Sequence, residues 1–307
     1  MKKLLLFIFI IFLTGCTLPD IGNIAVVSSI GISHDKEVYT VYVKILATDD
    51  DNEDVILTKT CLKLDDCFYD ITKDLSKKLY LTQMDLLVID DDIEKKNIDE
   101  IINFFLSQKS SRNSFSIIAT DKINDKIFKN EEKDINNMLD LSISTNAIVK
   151  RISFDSVLKD ILNFNISFIP YLKFDDVPEV ISYKEIYENS KVLSKDESIA
   201  VNIIRGNLKN FTFVKDGKKY NLENCTTSYT VKDDVNIKFV CDYIGNDAVN
   251  ILNINLEGIT SDYLKNNDKN YLNYIYYKYK NSLKNNVNYN ITVSVKKLKT
   301  NGGEMFG

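Results

Sequence analysis

The chain has little of what most catalytic sites need: one histidine, no tryptophan and three prolines in 307 residues. A single histidine, His34 in a polar turn, leaves Ser-His-Asp, Cys-His and histidine-based zinc sites without their usual residues. The sequence also has no Gly-x-Gly-x-x-Gly or Walker phosphate loop and no Cys-x-x-Cys redox pair. It therefore predicts no catalytic residue, no cofactor and no metal site.

Basic charge is also in short supply, because 44 acidic residues outnumber 39 basic ones. Nucleic-acid binding requires a basic stripe, so we expect no nucleic-acid partner. The acidic run at 49–54 lacks the glycine and distal glutamate of a calcium loop and is interpreted as a solvated turn. Asp90-Asp91-Asp92 follows an apolar run and precedes a predicted helix, where carboxylates suit the helix N-terminus.

The first notable feature that is present is the N-terminal run Leu4–Leu13, which follows two lysines and is entirely apolar. A run this short cannot cross a bilayer core of about 30 Å as a stable helix, so it indicates a signal peptide. The run ends in Leu13-Thr14-Gly15-Cys16, which matches the bacterial lipobox. In a lipobox the thiol takes a diacylglycerol, and cleavage then leaves the cysteine as the new N-terminus.

We therefore predict a lipoprotein signal peptide over 1–15, a lipidated tether over 16–22 and lipidation at Cys16. Two or three acyl chains, palmitate among them, hold a protein stably, since each buried methylene contributes about 0.8 kcal/mol. A plain secretion signal, or an uncleaved anchor, is the alternative. The domain behind the tether would lie outside the cytoplasm.

Four other cysteines follow, an even number that outside the cytoplasm indicates disulfides: Cys61, Cys67, Cys225 and Cys241. Three pairings are possible, and local spacing favours Cys61 with Cys67 and Cys225 with Cys241. A hairpin turning at Asp233 pairs Val231 with Val235 and, further out, Cys225 with Cys241. A bulge would shift this register. Buried reduced thiols are the alternative for both pairs.

Apolar periodicity predicts the elements of the first half. Strands are predicted over 23–33, 37–46, 55–61, 84–89 and 114–120. One helix should run from a cap at Asp65 or Asp66 to about Tyr80, and a second should begin where Asn97 and Glu100 resemble a capping pair. This order predicts helices packed on one face of a mixed sheet.

The second half has a weaker pattern, with a helix predicted over 155–162 and an extended segment over 165–174. Strands are predicted at 186–189, at 211–214, in the cysteine hairpin, at 249–257 and at 287–295. A long helix is predicted over 261–284, with tyrosines at 271, 274, 276, 277 and 279. Tyr276 and Tyr274 lie off its apolar stripe and could form a contact surface; the alternative is that they cover the helix flanks.

The predicted fold class is α+β, with mixed β-sheets, helices packed on one face, and two or more successive α/β domains behind the lipoprotein signal. The boundaries are an N-terminal mixed α/β region over 23–178, which could divide near 121, and a C-terminal α+β domain over 179–307.

Two strand sequences directly behind the lipobox resemble a known family: Asn23-Ile-Ala-Val-Val-Ser-Ser-Ile-Gly-Ile-Ser33 and Tyr39-Thr-Val-Tyr-Val-Lys-Ile45. They are similar to the Ger(x)C lipoproteins, the C subunits of nutrient germinant receptors in spore-forming bacteria. The similarity continues through the predicted helix at 67–80 and the stretch Ser182–Ser198. It implies successive mixed α/β domains and a non-catalytic subunit needed for germination in response to nutrients.

The resemblance also implies a place and partners. The subunit would be lipid-anchored on the extracytoplasmic face of the spore inner membrane and would assemble with membrane-embedded A- and B-type subunits. The family has no active site to transfer, so only Cys16 carries over as a functional residue. The alternatives are a solute-binding lipoprotein of a transporter and a secreted hydrolase that uses paired carboxylates.

Overall fold

The fold is given by a computed structural model that describes residues 23–47, 53–108, 112–129, 132–175, 178–188, 190–245, 249–267, 269–284 and 286–298. Several predicted features lie outside these residues: the signal peptide at 1–15, the tether at 16–22 with Cys16, and most of the acidic turn at 49–54. Within the described part of the chain, no helix combines the length and the apolar character needed to cross a membrane.

Eight strands form the first sheet: β1 (Ile24–Asp35), β2 (Val38–Ile45), β3 (Val55–Cys61), β4 (Lys78–Tyr80), β5 (Leu86–Asp90), β6 (Ser116–Thr120), β7 (Ser167–Phe174) and β8 (Pro178–Ile186). The order is β3-β2-β1-β5-β6-β7-β8, with β4 beside β1. The central strands β1, β5, β6 and β7 are parallel, whereas β2, β3 and β8 pair antiparallel. The predicted mixed sheet is therefore confirmed.

Seven α-helices surround the sheets in the described part of the chain: α1 (Leu64–Leu75), α2 (Lys95–Ser107), α3 (Glu132–Asn146), α4 (Phe154–Phe164), α5 (Lys195–Ile204), α6 (Val249–Asn266) and α7 (Lys269–Lys280). Helices α1 and α2 cover one face of the first sheet, where Phe68 stacks on Phe104 with ring centroids 4.0 Å apart. The opposite face, including Leu86 and Val88 of β5, shares a core with α3 and with the second sheet.

The second sheet has the order β12-β11-β10-β9, built from β9 (Phe211–Lys215), β10 (Lys218–Val231), β11 (Val235–Ile244) and β12 (Tyr289–Lys297). Strands β9, β10 and β11 pair antiparallel, and β12 is parallel to β11. Leu252 and Leu256 of α6 pack on one face of this sheet together with Ile203 of α5. The α+β class is confirmed. We call the first sheet with α1–α4 the first unit, and the second sheet with α5–α7 the second unit.

Packing explains why position 31, in the middle of β1, is a glycine. A Cβ atom at this position would lie 2.5 Å from Cζ of Phe128, closer than real Cβ atoms approach a ring carbon. The Ile-Gly-Ile sequence therefore leaves room for the Phe128 ring, which also stacks on Tyr42 with ring centroids 5.8 Å apart. Any side chain at Gly31 would displace that ring.

The prediction of one helix over 261–284 and a strand over 249–257 is wrong. Helix α6 begins at Val249 and ends at Asn266, and α7 begins at Lys269. Leu252 and Leu256 are buried and four residues apart, whereas Ile254 is 72% exposed. The burial pattern therefore has the period of a helix and not that of a strand. Asparagine and aspartate compete with the helical backbone, which fits the break after Asn266.

Three further predictions about local structure are also wrong: the helix end near Tyr80, its cap at Asp65 or Asp66, and the capping pair of Asn97 and Glu100. Helix α1 ends at Leu75 because Ser76 adopts the left-handed conformation (φ 52°), and β4 follows. Its N-cap is Lys63, so Asp65 and Asp66 lie in the first helical turn instead. The N-cap of α2 is Glu94, and its C-cap is Gln108.

The strand predicted at 186–189 is instead the end of β8, whose last residue is Ile186. Strand β8 pairs antiparallel with β7 across the predicted boundary at 178–179, so the first sheet extends to Ile186. The divisions near 121 and at 178–179 stay predictions as domain boundaries.

Candidate functional site

A cleft of about 320 Å³ opens where the second unit packs against the first. Helix α4, strands β7 and β8 and the segment before α4 line it from the first unit, and the end of α5 and helix α7 line it from the second. Its charged and aromatic lining residues are Lys150, Arg151, Asp160, Phe164, Phe168, Tyr183, Arg205, Tyr271 and Tyr274. We call it the Arg205 cleft.

Arg205 occupies the centre of the cleft because it directly follows α5 as its C-cap residue. Its guanidinium carbon lies 4.7 Å from the ring centroid of Phe168, 4.9 Å from that of Tyr271 and 5.4 Å from that of Phe164. A planar guanidinium stacks on aromatic faces, where the ring quadrupole attracts the cation. One arginine thus joins rings from both units.

Asp160 of α4 completes this centre. Its Oδ2 accepts a hydrogen bond of 2.8 Å from Nη1 of Arg205 and one of 3.3 Å from the hydroxyl of Ser167. The side chains of Arg205 and Asp160 are 11% and 23% exposed. Burial raises the pKa of Asp160, and the guanidinium of Arg205 opposes that shift by favouring the carboxylate. The pair therefore links α4 to the end of α5.

A buried hydrogen-bond network fixes the wall behind the pair. The Tyr183 hydroxyl donates to Oδ1 of Asn202 at 2.9 Å and accepts from the backbone N–H of Lys150 at 2.8 Å. The Asn202 amide donates to the carbonyl oxygens of Ala147 at 2.7 Å and Ile148 at 3.0 Å. Burial raises the pKa of Tyr183, which keeps the hydroxyl protonated as the donor. Residues 147–150 are therefore held against α5.

The charge of the cleft is opposite in sign to that of the chain. Lys150, Arg151 and Arg205 line it with one carboxylate, Asp160, whereas the whole chain carries a formal charge of −5. Lys150 Nζ lies 3.4 Å from Oδ1 of Asn207, and Arg151 Nη1 lies 3.7 Å from the exposed Asp140 carboxylate. Arg151 remains 46% exposed, so the rim of the cleft presents positive charge to solvent.

A second charged cluster lies at the end of β5. Carboxylate oxygens of Asp90, Asp91 and Asp92 come within 4.8 Å of one another, an arrangement that could hold a cation. Desolvation and the neighbouring carboxylates raise the pKa of Asp90 to about 6. Asp91 accepts a hydrogen bond of 3.3 Å from the Tyr171 hydroxyl. The ammonium group of Lys184, whose pKa is lowered by burial, supplies a balancing positive charge to these carboxylates.

The prediction that these carboxylates lie at a helix N-terminus is wrong. Helix α2 begins at Lys95, and its first turn has no acidic residue. Asp90 is the last residue of β5, and Asp91 and Asp92 form the turn that follows. The carboxylates therefore contact neighbouring strand ends rather than the helix backbone.

The four cysteines lie together in the two pairs that local spacing favours. Cα atoms are 5.5 Å apart for Cys61 and Cys67 and 4.1 Å apart for Cys225 and Cys241, so the structure brings the two members of each pair together. The register of Val231 with Val235 is as predicted. The ladder shifts by one residue just beyond the second pair, at Asn224, whose φ of 50° suits asparagine.

Comparison with known proteins decides the family. Residues 19–174, about half of the chain, match the family model described as the spore germination protein N-terminal domain. This chain belongs to the family of spore germination proteins. The crystal structure of the GerBC protein is similar at a TM-score of 0.49 and 13% identity, covering 88% of this chain and 96% of that one. No curated protein matches the chain.

The residues of the candidate site are divided by the end of the family match. In this spore germination protein, Lys150, Asp160 and Phe168 lie inside the matched region, whereas Arg205 and Tyr271 lie beyond it. Cys16, the one functional residue predicted from sequence, precedes the match and lies outside the described residues.

Sequence reasoning missed the Arg205 cleft, because its residues are spread over more than a hundred positions without a motif. One compositional signal could have found it. Of the 39 basic residues only three are arginines, and two of these, Arg151 and Arg205, line the cleft. Tyr274 also lines it, and both Tyr274 and Tyr276 pack, partly buried, against the core shared by the two sheets. The exposed tyrosines of α7 are Tyr277 and Tyr279.

Proposed function

We propose that this spore germination protein is the lipid-anchored, non-catalytic subunit of a nutrient germinant receptor. Membership of the family carries the proposal, and the family match begins at residue 19, directly after the lipobox that ends in Cys16. In this role the folded part lies on the extracytoplasmic face of the spore inner membrane. It assembles there with membrane-embedded A- and B-type subunits and is needed for germination in response to nutrients.

The anchor in this proposal is the lipid on Cys16. Several acyl chains on one residue give stable attachment where a single chain is marginal. The acidic balance of the chain supports the same view, because a net charge of −5 repels anionic lipid headgroups. Two disulfides, Cys61 with Cys67 and Cys225 with Cys241, belong to the proposal as well, since the extracytoplasmic side permits them.

The absence of catalysis is part of the proposal and has support in the Arg205 cleft. A carboxylate-dependent hydrolase needs two carboxyl groups that face the substrate. The carboxylate that lines this cleft, Asp160, is paired with Arg205 at 2.8 Å, and the cleft is otherwise cationic. This chemistry suits binding and assembly better than hydrolysis.

One observation favours the second candidate, a solute-binding lipoprotein of a transporter: the cleft lies between two units. Ligand sites are common at such interfaces. The two units are unlike each other, however, since one has a mixed eight-stranded sheet and the other a four-stranded sheet that is mainly antiparallel. Family membership therefore ranks the receptor subunit first.

The test is deletion of the gene in its sporulating host, followed by germination assays with individual amino acids, sugars and nucleosides. We expect loss of the response to at least one nutrient, normal sporulation, and recovery when the wild-type gene is restored. In detergent extracts of spores, an epitope-tagged chain should co-purify with A- and B-type subunits. Unchanged germination with every nutrient would contradict the proposal.

A further inference from the structure

We propose that the Arg205 cleft binds a small organic anion that carries an aromatic ring, such as an aromatic carboxylate. The inference goes beyond the receptor role and does not depend on it, because it follows from the lining of the cleft alone. Three properties support it: size, charge and aromatic lining.

The size is that of a small-molecule site. A volume of about 320 Å³ lies at the lower end of the range of known ligand pockets, roughly 300–1,000 Å³. A single aromatic ring with a short acidic substituent fits this volume, whereas a folded partner protein would need a wide surface. The ligand would contact both units at once, through α4 on one side and α7 on the other.

The charge selects an anion. Asp160 pairs with Arg205, and the exposed Asp140 carboxylate lies 3.7 Å from Arg151. Three cations thus face two carboxylates, which leaves one positive charge in excess at the rim, where Lys150 and Arg151 lie. Their contacts, at 3.4 Å to the Asn207 amide oxygen and 3.7 Å to the Asp140 carboxylate, are long and exposed, so both side chains can turn toward a ligand. The fork of an arginine matches a carboxylate with two hydrogen bonds.

The chain also uses arginine sparingly. Lysine supplies all but three of its 39 basic residues, yet Arg151 and Arg205 both occur in this one cleft. Lysine would serve equally well for solubility, whereas bidentate recognition and ring stacking require the planar guanidinium. Arg205 performs the stacking within the structure, and we assign recognition of the anion to Arg151 together with Lys150.

The aromatic lining selects the rest of the ligand. Phe164 meets Tyr274 edge-to-face, with centroids 4.7 Å apart and planes at 89°, and meets Tyr271 at 5.2 Å and 69°. Aromatic rings favour such offset and edge contacts with a further ring, and burying the ligand ring would release water from them. The Tyr183–Asn202 network holds the wall in place, so little ordering is needed on binding.

Titration calorimetry on the full chain in detergent tests the proposal with four probes: benzoate, benzyl alcohol, benzylamine and acetate. Benzoate has both the charge and the ring, and each other probe lacks one or reverses the charge. We expect benzoate to bind at least about tenfold more tightly than the other three, as one charge-assisted hydrogen bond allows. Added salt should weaken benzoate binding more than benzyl alcohol binding.

The variant is Lys150→Gln with Arg151→Gln, which removes both exposed rim cations and leaves the Arg205–Asp160 pair intact. We expect benzoate affinity to fall about tenfold or more, with unchanged binding of benzyl alcohol. Arg112→Gln with Lys173→Gln is the matched control, because both residues are exposed and neither lines the cleft. Equal binding of the three ring probes, absence of benzoate binding, or full affinity in the rim variant would overturn the proposal. The probe comparison and its salt dependence need no variant, so they decide even if a variant is unstable.

Discussion

The Tyr39 hydroxyl on β2 donates a hydrogen bond of 2.7 Å to Oε2 of Glu100 on α2. The same hydroxyl accepts a bond of 2.8 Å from the Asn97 amide, one turn earlier on the helix. Tyr39 is 2% exposed and Asn97 3% exposed. Burial raises the pKa of Tyr39, so its hydroxyl stays protonated and keeps donating at neutral pH. This relationship connects the antiparallel edge of the first sheet to the helix that covers it.

Tyr39→Phe should therefore destabilise the protein. Without the hydroxyl, the buried Asn97 amide has lost an acceptor, and an unsatisfied buried donor lowers the free energy of unfolding by about 1–3 kcal/mol. Urea unfolding measures the change. Tyr69→Phe is the matched control, since Tyr69 is 69% exposed and its change should be within about 0.5 kcal/mol. Equal stability of the two variants would show that the Tyr39 network contributes nothing.

The same three residues show how far sequence reasoning reaches. Alternation around Tyr39 predicts β2 correctly, with Tyr39, Val41 and Val43 on the buried face, because strand periodicity is a local property. Asn97 and Glu100 have the spacing of a capping pair, and that prediction is wrong. Both side chains instead contact Tyr39, which lies 58 residues before Asn97 in the chain. Local spacing contains no information about such a contact.

The candidate site depends on long-range packing, which local sequence patterns do not reveal. The pairing of Val231 with Val235 follows from one short turn, and the structure confirms this register. The Arg205 cleft instead depends on how the end of α5 and helix α7 pack against α4, an arrangement between units that no segment specifies by itself. The helical state of 249–257 was also hidden, because buried leucines four residues apart fit either an alternating strand or a helix.

Arg205→Lys tests the centre of the cleft. Lysine keeps the positive charge beside Asp160 but loses the planar stack on Phe168 and Tyr271. We expect the free energy of unfolding to fall by about 1–3 kcal/mol, as stacked, partly desolvated guanidinium groups contribute. Arg112→Lys, at an exposed position, should change it by less than about 0.5 kcal/mol. An Arg205→Lys protein as stable as the control would assign no role to the stacking.

The raised pKa of Asp90 predicts a pH dependence. Because the folded state binds this proton more tightly than the unfolded chain, the contribution to stability is complete below the ordinary pKa of 3.8 and is lost as the pH rises through about 6. At neutral pH the half-buried carboxylate is ionised and destabilises the fold. Asp90→Asn should therefore raise the free energy of unfolding at pH 7 by about 1 kcal/mol, after solvent screening is allowed for.

The measurement is urea unfolding of wild type and Asp90→Asn between pH 4 and pH 7, taken as a difference curve so that other carboxyl groups cancel. The difference should be small at pH 4 and grow towards pH 7. Asp175→Asn, at an exposed position, is the control for the effect of an Asp-to-Asn change itself. A variant that loses stability at pH 7, or a difference independent of pH, would contradict the assignment.

The two proposed disulfides should contribute unequally to the free energy of unfolding. Their residues are 16 positions apart for Cys225 and Cys241 and 6 apart for Cys61 and Cys67, so the first bond restricts a longer loop in the unfolded chain. Loop entropy predicts that replacing Cys225 and Cys241 by alanine lowers the free energy of unfolding by about 3 kcal/mol. Replacing Cys61 and Cys67 should lower it by about 2 kcal/mol. Mass spectrometry after alkylation checks the bonds themselves. Alkylation of all four thiols without reductant would exclude both.

Cys16→Ala tests the anchor on which the proposed role depends. The wild-type chain should fractionate with membranes and incorporate a labelled palmitate analogue. The variant should incorporate none and should appear in the soluble fraction, because the apolar run before it is too short to span the bilayer. The protein with Cys61→Ala and Cys67→Ala is the matched control and should stay labelled and membrane-bound, since it retains the lipobox. A Cys16→Ala chain that keeps the label or remains with the membrane would place the attachment elsewhere.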